Sequence, residues 1–200
     1  MNDKTIRELL PGFYKEYNLG MDGGQSSSSV RIELTKNLTL YIPNFTARRK
    51  AVLKHDIHHI VTGYRSTFKG ESEIGAWEIG SGCRHYWAAW VLDASGFISG
   101  ILFNLWGVLK AFARGRRTRN LYYDNIPDDK ALEMKQSEIQ KLLLLDKYPK
   151  NTSPSFIDIL IFAVYALAGL IYSVLSMLLI PFILVYTVYV KMQPKKFIAT

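Results

Sequence analysis

Between Lys150 and Lys191 the chain carries one formal charge, Asp158, and Phe156 to Val190 is otherwise apolar apart from a few hydroxyls. A domain of this size has nothing large enough to surround such a segment, so lipid is the natural solvent for it. As one straight helix it would extend roughly 50 Å at about 1.5 Å per residue, against a hydrocarbon core of about 30 Å. That is too long for one crossing and slightly too short for two full ones. The reading is a hydrophobic helical hairpin in the membrane over 156–192, bent near Gly169–Ser176, with Pro181 as a kink or as the break itself. Lys147 and Lys150 precede it, and Lys191, Lys195 and Lys196 follow it. Positive residues on both flanks place both ends, and the soluble domain, on the cytoplasmic side. The run from Asp146 to Ser155 has linker composition, which leaves 1–145 as the domain.

The formal net charge of +8 suggests nucleic acid only until its distribution is read. The densest basic run, Arg114-Gly115-Arg116-Arg117-Thr118-Arg119, follows an apolar stretch directly. Basic residues at the ends of apolar segments meet lipid headgroups, so the expected partner is a membrane and not nucleic acid. Cys83 is the sole cysteine and has no internal disulfide partner. The first residues, mixed in charge and without an apolar stretch behind them, do not read as a targeting signal.

The periodicity predicts a mainly α domain with a small β-hairpin near its N-terminus. Residues 5–18 form a short helix broken at Pro11, and Gly20–Ser29 is a flexible loop. Val30, Ile32 and Leu34 alternate with polar residues, as do Leu38, Leu40 and Ile42, with Lys36-Asn37 as the turn. Asn44 or Thr46 caps a helix that runs to Thr62 and ends at Gly63. A second helix covers Glu71 to Leu92. A third opens at Gly96, with Ile98, Ile101, Leu102, Leu105, Leu109 and Phe112 on one face, and a fourth runs from Asp128 to Leu145.

Three of the four histidines fall within five residues, in His55-Asp56-Ile57-His58-His59. Four apart on a helix, His55 and His59 project from one face, the usual way for a helix to offer two imidazoles to one ion. Asp56 borders that face, and Glu71 begins the next helix after a loop long enough to bring it back. The predicted metal ligands are therefore His55, Asp56, His59 and Glu71. Two nitrogens and two oxygens suit a divalent ion, zinc first, with iron, manganese or cobalt as alternatives, and can leave a position open for chemistry. His58, on the other side of the His55/His59 pair from Asp56, is expected behind the site or at the surface.

The string His55-Asp56-x-x-His59, eleven residues, then Glu71 resembles the signature of the coenzyme Q biosynthesis protein 4 family. The surrounding Leu53–Tyr64, the basic turn Ala111–Arg117 and the segment Leu121–Asp124 resemble it as well, so that the likeness covers about residues 40–145. It implies a helical fold with a metal held by the four residues of the motif. It also implies a role in ubiquinone biosynthesis, with prenylated quinone-type lipids and other biosynthetic enzymes as partners. The implied work is decarboxylation and hydroxylation of the lipid's ring, or its presentation to those enzymes.

Other chemistries fit less well. His-x-x-His-His also occurs in membrane di-iron oxygenases, but those use about eight histidines and this chain has four. A His-Asp phosphohydrolase needs a histidine well upstream of His55, and there is none. A lipid-binding scaffold or self-associating protein with a structural metal remains, and is told apart by whether the metal faces a pocket. Glu78 and His85 continue the seven-residue spacing from Glu71 and, with Tyr64 and Arg84, are candidate pocket residues. Leu102, Leu105 and Trp106 with Arg114, Arg116 and Arg117 form a candidate membrane-docking helix.

Overall fold

The computed structural model describes residues 3–35, 38–123 and 126–193; the expected turn at Lys36-Asn37 lies outside them. It is mainly helical, with one antiparallel two-stranded hairpin near the N-terminus. Helix α1 (Ile6–Glu16) starts at a reciprocal cap between Thr5 and Glu8. Pro11 lies within α1 without breaking it. The carbonyl that Pro11 leaves unpaired belongs to Arg7, on the exposed side, where water can satisfy it. Strands β1 (Ser29–Thr35) and β2 (Leu38–Pro43) pair Val30 with Ile42 and Ile32 with Leu40, the expected alternation.

Helix α2 (Thr46–Thr62) ends as predicted at Gly63, whose left-handed φ of 72° lets its N–H cap the His59 carbonyl. Neither expected residue caps its start: Phe45 holds that position without a side-chain bond. Asn44 instead donates to the carbonyls of Gly24 and Ser27 and accepts from Arg48, tying the glycine–serine loop to α2.

The expected second and third helices are cut elsewhere. Helix α3 (Phe68–Ser81) stops at Gly82, with φ of 89°, and α4 (Trp87–Phe103) begins after a short reversal. A bend at Asn104 then separates α4 from α5 (Leu105–Gly115). The face drawn from Ile98 to Phe112 is therefore two faces. Phe112 and Leu109 are core, whereas Leu102, Phe103, Leu105 and Trp106 stand exposed at the bend. The fourth helix also divides, into α6 (Asp128–Glu133) and α7 (Gln136–Leu142). Between them the backbone opens so that Met134 accepts from the Ile6 N–H and fastens the start of α1.

The C-terminal apolar segment does not reverse. Helix α8 (Phe156–Ser176) passes through a 3₁₀ turn at Met177–Leu179 into α9 (Ile180–Met192), and the junction residues keep right-handed helical angles. Pro181 sits in the first turn of α9, where its missing N–H costs little, and it does not break the rod. The whole of Phe156–Met192 is thus one helix long and apolar enough to cross a membrane, and little of it is buried. Its inner side nevertheless belongs to the domain. Phe162 completes a cluster with Phe97 and Phe112, Trp90 stacks on Tyr165, and Gly169 lies against Ile98. Arg116 and Arg117 are not free for headgroups: both bind the Asp158 carboxylate, at 2.9 and 2.5 Å. Arg114 is buried and donates to the Tyr148 and Thr62 carbonyls.

Candidate metal centre

Helix α2 presents His55 and His59 on one side, as its four-residue spacing requires, and α3 returns beside it with Glu71 in its first turn. Thr67 caps α3 by accepting from the Gly70 N–H, and Ser66 donates to Glu71 Oε1 at 2.5 Å, which fixes the carboxylate. The three ligand atoms converge. His55 Nε2 lies 3.2 Å from His59 Nε2 and 3.3 Å from Glu71 Oε2, and His59 Nε2 lies 3.2 Å from Glu71 Oε1.

The ring partners decide what those atoms are. His59 Nδ1 is 2.8 Å from the Tyr64 carbonyl, which only accepts, so the neutral ring carries its proton on Nδ1. His55 Nδ1 is 3.1 Å from both oxygens of Glu78, a carboxylate held well below its ordinary pKa because His55 and His58 more than offset its burial. Both Nε2 lone pairs therefore point at each other and at a carboxylate, an arrangement that repels itself unless a cation sits between. Ligand–metal bonds of about 2.0–2.1 Å at tetrahedral angles put neighbouring ligand atoms about 3.3 Å apart. The spacing observed matches a single ion held by His55, His59 and Glu71. In the metal-free site a proton on His55 relieves the same repulsion: burial disfavours charge there, yet Glu78 and Glu71 outweigh it and hold the His55 pKa well above the usual imidazole range.

Asp56, the fourth expected ligand, lines the same cavity but stands outside this cluster. Its Oδ2 accepts from the Tyr14 hydroxyl at 3.2 Å. Burial pushes its pKa up to about 6, against the pull of His55 and His59. Three protein ligands facing a cavity leave a coordination position for water or substrate, as catalytic sites do and closed structural sites do not.

The cavity holds about 350 Å³. Its lining combines the three ligands, Asp56, Asp93 and Arg48 with apolar side chains, among them Val30, Ile32 and Ile42 of the hairpin, Val52 and Leu92. The β-hairpin thus forms part of the cavity wall.

Behind the ligands, His58 is fully buried. Its Nε2 accepts the Leu121 N–H at 2.9 Å, so Nδ1 carries the proton and donates to Glu78 at 2.5 Å. Glu78 therefore buttresses His55 and is not a wall of the pocket. Asp93 lies beside it, 4.0 Å from His55 Nδ1, with its pKa raised by burial and by the charge on Glu78. The other pocket candidates fall outside. The seven-residue spacing from Glu71 ends with α3, so His85 is exposed and rests on Tyr86. Arg84 covers the Tyr123 ring. Tyr64 is buried between Arg114 and Lys150 and serves the site through its carbonyl. Sequence reasoning missed Asp93, although it is the only charged residue of α4, a signal that could have marked it.

Exchanging Glu78 for Gln keeps its shape but removes its charge and one of the two acceptor oxygens shared by His55 and His58. The expected result is a metal affinity lower by about 10–100-fold with the fold retained, measured by chelator competition and by circular dichroism. Unchanged affinity would remove Glu78 from the site.

No family model, curated protein or solved structure matches this chain.

Proposed function

We infer that this chain is a membrane-attached, metal-dependent protein that binds a prenylated quinone-type lipid through its oxygenated ring. Zinc is the preferred ion, with iron, manganese or cobalt as alternatives. The reading is ring decarboxylation and hydroxylation, or presentation of the lipid to partner enzymes, as in ubiquinone biosynthesis. The observation that carries it is the convergence of His55 Nε2, His59 Nε2 and Glu71 in a cavity lined as well by the apolar Val30, Ile32, Ile42, Val52 and Leu92. Such a cavity suits a ligand with an oxygen-rich head and a hydrocarbon body. A metal bound there would act as a Lewis acid toward ring oxygens. Arg48 and Asp56 would orient the head, and Val30, Ile32 and Ile42 would exclude water. The exposed apolar rod attaches the domain to the membrane. Lys147 and Lys150 before it and Lys191 at its end favour the cytoplasmic face.

The test is the full chain purified in mild detergent, with metal analysis and mass spectrometry of co-purified lipid on one sample. About one divalent ion per chain and an isoprenoid lipid with an oxygenated ring are expected, and Val30→Glu with Ile42→Glu should remove the lipid while sparing the ion. Stoichiometric metal without any such lipid would favour a scaffold with a structural ion and overturn the assignment.

A further inference from the structure

Residues at seven-residue intervals along the rod, Ile157, Val164, Ile171, Leu178, Val185 and Met192, are all apolar and all more than half exposed. The opposite side is turned inward at Asp158, Phe162, Gly169, Thr187 and Val190, which are buried. The inward side thus meets the domain near both ends of the rod in one alignment, with no buried residue between Gly169 and Thr187. A straight α-helix would not hold that alignment, because a seven-residue repeat drifts about 20° each time, or about 100° over the five intervals. The 3₁₀ turn at Met177–Leu179 offsets much of it. At three residues per turn it adds about 60° over its three residues.

The rod is also fastened near both ends. Asp158 is held by Arg116 and Arg117. About 43 Å further along, at 1.5 Å per residue, Thr187 Oγ1 accepts the β2 amide of Tyr41 at 2.9 Å. A helix standing across the bilayer could keep both fastenings only by drawing the domain through a hydrocarbon core of about 30 Å. Arg48, Asp56 and the metal cavity would go with it, and charged groups there are costly.

We propose that Phe156–Met192 is an in-plane anchor, lying along one leaflet with its outward stripe in the lipid and its inward stripe on the domain. In-plane helices supply a polar face of their own and sink about 5–10 Å into the headgroup–acyl boundary. Here the folded domain takes the place of that polar face, so the rod can be apolar almost all round. The occupant of the stripe is a bilayer, since its length exceeds what one crossing needs and the exposed Lys147 and Lys191 stand near its two ends. The exposed Leu102, Phe103, Leu105 and Trp106 at the α4–α5 bend supply further apolar surface. The proposal deepens the membrane attachment inferred above and rests on it.

The test uses the full chain on phosphatidylcholine–phosphatidylglycerol vesicles. Ile157→Cys, Leu178→Cys and Met192→Cys are each labelled with an environment-sensitive fluorophore; the fully buried Cys83 should stay unlabelled. Flotation reads attachment, and quenching by spin labels high or low on the acyl chain reads depth. All three positions are expected at one shallow depth, each quenched several-fold more by the upper spin label. A deep Leu178 between shallow ends would mean a crossing or a hairpin and overturn the in-plane seat alone. Labels shielded from water yet unquenched by either lipid would mean a protein partner and overturn it as well. Failure to float would overturn attachment and seat together.

Discussion

Replacing His55 or His59 by Ala is expected to reduce bound metal from about one ion per chain to a trace, with the helical content unchanged. Each imidazole supplies one of three converging ligand atoms, and its neighbours' lone pairs lose the cation that relieves their repulsion. The loss should appear in the melting temperature too: an ion present at about a thousand times its dissociation constant contributes about 4 kcal/mol. Chelator should therefore lower the melt of the native chain and leave the variants where they are. The pH dependence has opposite signs with and without metal. Binding must displace the proton that Glu78 and Glu71 favour on His55, so below the raised His55 value affinity should fall about tenfold per pH unit. In the metal-free chain a His55 whose pKa is raised by folding adds stability below about pH 6.5. That contribution is lost as the pH climbs through the raised value. Full metal occupancy in the His55→Ala, His59→Ala double variant would refute the centre.

A second large effect is expected far from the ligands, at Gly115. A Cβ there would lie 2.2 Å from the Trp77 carbonyl oxygen and 3.0 Å from the Ser81 nitrogen, both backbone atoms of α3. Gly80 makes the reciprocal approach, its Cβ position lying 2.4 Å from the Phe112 carbonyl oxygen of α5. No rotamer change relieves such overlaps, so the helices must separate. Gly115→Val should cost about 3 kcal/mol or more. At about 2–4 °C per kcal/mol that is a fall in melting temperature near 10 °C. Metal affinity should fall with it, because α3 carries Glu71 and Glu78. Gly12→Ala is the matched control: nothing lies within 4 Å of its Cβ position. There the better helix former should hold the melt or raise it slightly. Equal behaviour of the two variants would show that α3 and α5 do not depend on this contact.

What was legible in the sequence is what local pattern dictates. The spacing of His55 and His59 forces both rings to one side of α2, whatever the rest of the chain does. The alternation through Val30 and Ile42 gives the hairpin, and the charge gap after Lys150 gives the apolar rod. Gly63 ends its helix because few other residues accept a left-handed φ cheaply. Where several glycines offered a break, pattern could not choose. Gly82 and Asn104 were taken, and Gly96 was not, because α4 fits against α3 only when Gly96 meets the Glu71 carbonyl and Gly75 meets Asp93.

Partners distant in the chain were decided by tertiary structure alone. Nothing near Glu78 in sequence says that it faces His55 and His58, and nothing near Asp56 says that Tyr14 will claim its oxygen. The β-hairpin contributes Val30, Ile32 and Ile42 to the cavity that holds the candidate ligands, a meeting that its own alternation cannot announce. The rod was expected to fold back on itself, because it is too long for one crossing and lysines flank it on both sides. It runs on as one helix, with Asp158 held by Arg116 and Arg117 and Thr187 bonded to Tyr41. These contacts join residues 42 and 146 positions apart at most partners, a separation across which composition and periodicity carry no information.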